Sequence, residues 1–102
     1  MLLTLSPFAL STVAMYAEED WTTDAPDIEA VCRAYRAGGG RALRVEAADV
    51  ATVARGLVDL ANTEDEIAED RRSFDPETRR HSRAARDGLS AAHGRLLAMA
   101  SR

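Results

Sequence analysis

Lysine and glutamine do not occur in this chain, asparagine occurs once (Asn62), isoleucine twice (Ile28, Ile67) and cysteine once (Cys32). A single cysteine rules out an internal disulfide, and with it a small secreted fold stapled by bridges. No apolar run approaches the roughly 18 residues that suggest a membrane span. All thirteen cationic side chains are arginines, which taken alone points to phosphate binding. Twenty alanines beside so few Lys, Asn and Ile have a simpler source, a GC-rich genome that disfavours AT-rich codons. The net charge of -4 gives no global reason to expect nucleic acid.

What is present is the composition of an ordinary folded protein: 46% apolar and 29% charged residues in 102, enough for one domain and no second core. The opening stretch Met1–Ala17 is apolar, but it has no Lys or Arg near Met1 and no clear A-x-A site, and Pro7 interrupts it. Leu10, Val13, Ala14 and Ala17 recur at helical spacing, so the segment reads as part of the domain rather than a leader, and the protein as cytoplasmic.

Four helices are expected, at about 7–18, 26–37, 47–70 and 76–100, giving a mainly α fold. Ser6-Pro7, Asp24 before Pro26, and Asp75-Pro76-Glu77 supply the starts, each with a capping side chain and an early proline. Trp21 extends the first stripe. Gly38-Gly39-Gly40 closes the second helix, whose stripe is Ile28, Val31, Cys32 and Tyr35. Leu3 and Leu5, and Leu43 and Val45, alternate with polar residues, so residues 2–5 and 42–46 are expected to form a small parallel strand pair. The two segments match at an offset of forty, a strand leading into a helix twice over.

Heptad columns in the second half predict a long antiparallel αα-hairpin. Val53, Leu60, Ile67 and Phe74 make one column, and Ala85, Leu89, Ala92, Leu96 and Met99 the facing seam. Turning about Ser73, Leu57 faces Leu89, Ala61 faces Ala85 and Glu64 faces Ser82. Alanine columns Ala54-Ala61-Ala68 and Ala84-Ala91-Ala98 flank the seams and suggest a homodimer.

Charge is the most uneven property of the chain. Residues 46–70 carry a net -7 and residues 71–102 a net +5. The acidic block holds Glu64, Asp65, Glu66, Glu69 and Asp70, and the basic block Arg71, Arg72, Arg79, Arg80, Arg83 and Arg86. The hairpin puts both at one end, where they either neutralise each other or meet a partner. Glu64, Asp65, Glu69, Asp70, Arg79, Arg80, Arg83 and Arg86 are therefore the candidate partner-binding residues.

Catalytic constellations are missing. His81 and His93 lie about 120° apart around one helix and some 18 Å along it, too far to share a metal. Cys32 occupies a core position, and no G-x-S-x-G, H-E-x-x-H or P-loop spacing occurs. Arg36–Arg41 with its three glycines resembles a phosphate cradle less than a helix cap. The expectation is a non-catalytic interaction or regulatory protein, needing no cofactor or metal, that binds another protein and forms a homodimer. A nucleic-acid-associated protein using the arginines is the alternative, and an acidic nucleic-acid mimic that inhibits a basic partner the third.

Overall fold

The computed structural model describes residues 1–19 and 25–102. In chain order they form β1 (Leu2–Leu3), α1 (Pro7–Glu19), α2 (Pro26–Ala37), β2 (Leu43–Arg44), a 3-10 turn (Ala47–Asp49), α3 (Val50–Glu69) and α4 (Pro76–Ala100). Trp21 and the Asp24 cap fall outside the described residues.

Local chemistry explains the boundaries. The Ser6 hydroxyl accepts from the Ala9 amide at 3.4 Å, and the Asp75 carboxylate accepts from the Thr78 amide at 2.7 Å. Each satisfies an amide that the first helical turn leaves without a partner. At the end of α2, the Gly40 amide donates to the Tyr35 carbonyl and the Gly39 amide to that of Arg36. This is a Schellman closure, which needs a left-handed residue, and Gly39 adopts φ 71°. The neighbouring amides of Gly38 and Arg41 are also bonded within the turn, so this glycine run has no free amides left to cradle a phosphate.

The strand pair is antiparallel, not parallel, and only two residues long on each side: Leu2 pairs with Arg44 and Leu3 with Leu43. Parallel pairing suits a single crossover element, whereas two helices intervene here and return the chain against β1 from the opposite direction. The Val45 amide extends the ladder to the Met1 carbonyl at 2.8 Å. Leu3 and Leu43, the residues matched by the forty-residue offset, are both buried cross-strand partners.

α3 and α4 pack along their length, α2 lies on α3, and α1 lies on both α2 and α4. The core takes Leu57, Leu60, Leu89 and Leu96 from the helix pair, with Val13, Val31, Leu3, Leu43 and Val45 from the remaining elements. Glu64 and Ser82, which the hairpin register sets opposite each other, are both buried and line one cavity.

The stripe of α1 differs from the expected one. Leu10 and Ala14 are only half-buried, while Ala9, Thr12, Val13 and Ala17 are buried. Close approach to α4 selects small residues for the contact face, and hydropathy alone does not register size. Small residues also let the helices approach at Gly56, beneath α2, and at Gly88, beneath α1.

Candidate functional site

Among the described residues, one ion pair within 4 Å joins the acidic and basic blocks. Arg86 is the one member of the basic block paired across the helices, its Nη1 lying 2.7 Å from Asp65 Oδ1. Its Nε also donates to Asp87 at 3.1 Å. These two carboxylates, Asp65 foremost, raise its pKa above the ordinary arginine value. Asp70 serves the turn: its Oδ1 accepts from the amides of Arg72 at 3.2 Å and Ser73 at 3.1 Å, and these bonds hold its carboxyl below the usual range. Glu69 is exposed, as are Arg80 and Arg83. Arg79 is half-buried, and its Nε has no hydrogen-bond partner. Among the described residues, no carboxylate oxygen lies within 4 Å of the guanidinium nitrogens of Arg71, Arg72, Arg80 or Arg83.

Glu64 alone of the acidic block is buried, at 4% exposure. It lines a cavity of about 390 Å³ where α1, α3 and α4 meet, together with Met15, Ile67, Phe74, Glu77, Thr78, His81 and Ser82. Among the described residues no cation stands within 4 Å of its carboxylate. Burial first, and then the Glu64 charge, push the Tyr16 phenol above its ordinary range.

A second hollow of about 420 Å³ is lined by Phe8, Glu77, Arg80, His81 and Ala84. Glu77 and His81 border both hollows, so the two adjoin along α4 as one cleft beside α1. His81 is exposed, as its place among the arginines suggests, but it also stacks edge-on against Phe8 with ring centroids 4.6 Å apart. Phe74 leaves the core column assigned to it. α3 ends at Glu69 and the Asp70 turn redirects the chain, leaving Phe74 36% exposed at the cleft. Phe8 (45%) and Met15 (39%) complete an exposed apolar lining.

No family model, curated protein or solved structure matches the chain. The site's chemistry must therefore be read from its own residues. Among the described residues, no group of three or more His, Cys, Asp or Glu is placed to hold a metal, and no helix is long and apolar enough to cross a membrane. Cys32 is fully buried. Of the alanine columns, Ala54, Ala61 and Ala68 are buried within the chain, so they leave no stripe for a second copy. Ala91 and Ala98 are exposed, beside Leu97.

Of the eight candidate residues read from sequence, the cleft brings together Glu64 and Arg80. Phe8, Met15, Phe74 and Glu77 were missed. Phe8 and Met15 are seven positions apart on α1 and share a face that its stripe leaves outward, a signal present in the sequence.

Proposed function

We propose that this protein is a non-catalytic binding module whose α1–α4 cleft receives an amphipathic, basic segment of a partner protein. The observation that carries the reading is the exposure of Phe8, Met15 and Phe74 around one cleft. Contiguous apolar surface rimmed by polar groups marks interaction sites. The sign of the partner follows from charge: Glu64 and Glu77 line the inner hollow, and no cation lies within 4 Å of either among the described residues.

Panning phage-displayed peptides against the whole protein tests this. Enriched sequences are expected to combine apolar residues with Lys or Arg, and to lose at least tenfold in affinity to Met15→Glu but not to Ala91→Glu. Peptides indifferent to Met15→Glu contradict the proposal.

A second reading, association with nucleic acid through Arg71, Arg72, Arg80 and Arg83, is favoured by guanidinium groups that have no carboxylate oxygen within 4 Å among the described residues. Four phosphate contacts would make log affinity fall with log salt at a slope of about -3.6. Duplex DNA binding with such a slope, abolished by Arg80→Ala with Arg83→Ala, would favour it over the peptide reading. Self-association, also proposed, rests on the outer face of α4 at Ala91, Leu97 and Ala98.

A further inference from the structure

Four arginines occupy two turns of α4, at positions 79, 80, 83 and 86, yet none lines the cavity that holds Glu64. At 100° per residue, Arg79 and Arg86 lie on one flank of the helix and His81 on the other, while Arg80 and Arg83 point away from the seam. The fold thus sinks Glu64 into the wall of a hollow and pairs it with none of the cations close by in sequence. Taking a charged group out of water is costly unless a counter-charge or hydrogen bonds replace its hydration. Residue Glu64 is 4% exposed, lines an open hollow, and has no salt-bridge partner among the described residues.

The remaining walls say what would complete it. Met15, Ile67 and Phe74 are apolar, and the polar groups Thr78, His81 and Ser82 come from neighbouring turns of one helix. Such a hollow suits a cation carried on an apolar shank: the ammonium or guanidinium meets Glu64, the methylenes lie against Met15 and Ile67, and the Phe74 ring adds cation–π attraction. A volume of about 390 Å³ falls within the range of small-ligand sites and has room for a long side chain.

We infer that the Glu64 cavity is an alkyl-cation pocket that takes a Lys or Arg side chain of the partner segment. The inference rests on the binding-module reading and adds the anchor to it. The two carboxylates on its wall oppose an anion, and a purely apolar anchor would cover Glu64 without supplying a counter-charge.

The probe is n-hexylammonium, titrated into the whole protein and followed by amide shifts in a ¹⁵N-labelled sample. n-Hexanol and hexanoate serve as neutral and anionic counterparts. The expected result is saturable binding of hexylammonium centred on residues 64, 78 and 82, at least tenfold tighter than hexanol and with no hexanoate binding. Glu64→Gln, which keeps the shape and removes the charge, should weaken hexylammonium at least tenfold while leaving hexanol unchanged. If that variant does not fold, Met15→Trp, at an exposed wall position, should block the pocket with Glu64 intact. Equal binding of hexanol and hexylammonium, or affinity retained in Glu64→Gln, overturns the inference. Where hexylammonium binds as expected but Lys-containing peptides do not, the pocket stands and the polypeptide partner falls.

Discussion

A methyl group added at Gly56 would stand 2.2 Å from the Asp27 carbonyl oxygen and 2.5 Å from Val31 Cγ2, so α2 would have to lift from α3. At Gly88 the same group would meet Ser6 Oγ at 2.0 Å and Ala9 Cβ at 2.9 Å. The Ser6 hydroxyl can rotate away, at the loss of its contact with the Ala9 amide, so relief there is partial. Gly94 has nothing within 4 Å. Alanine gains about 1 kcal/mol over glycine inside a helix, whereas overpacking costs about 1–3 kcal/mol. Urea unfolding should therefore rank Gly94→Ala above the native chain, Gly88→Ala below it and Gly56→Ala lowest. A stabilised Gly56→Ala would mean that α2 does not rest on α3 at that point. All three glycines sit in amphipathic helical patterns that sequence cannot tell apart, because what separates them is the distance to another helix.

Helix boundaries were legible because the residues that end helices act locally. Prolines at positions 7, 26 and 76 open α1, α2 and α4, and the glycine run at 38–40 closes α2. Strand direction and the buried face of α1 were not legible, since both follow from which element the chain meets next. The turn between α3 and α4 shows how an element end responds to conditions. Asp70 and Asp75 each accept backbone amides, and both carboxyls are held below the usual value of 3.8. A carboxyl lowered in the folded state adds stability above its unfolded pKa, and loses it as pH falls through the folded one. Thermal stability should accordingly decline as pH drops below about 4. Asp75→Asn keeps a capping oxygen but cannot titrate, so it should hold stability near the native level at pH 7 and flatten the acid decline. An unchanged acid profile in that variant would remove Asp75 from the account.

At the scale of the whole molecule, the charge split visible in the sequence survives folding. Among the described residues, Arg86–Asp65 is the one side-chain ion pair within 4 Å between the two blocks. Sequence located this end of the hairpin as the region of interest, and Glu64 and Arg80 within it. The cleft itself was hidden, because it is assembled from α1, α3 and α4, and because Phe74 had been assigned to the core. The most direct measurement of the central claim is site-specific photocrosslinking in the protein's native cells, with a photoreactive residue at Met15 and, separately, at Ala91. A discrete polypeptide adduct is expected from position 15, none at that mass from position 91, and loss of the position-15 adduct when Glu64→Gln is introduced. An adduct that forms from position 91 alone, or one from position 15 that is indifferent to Glu64→Gln, would contradict the account.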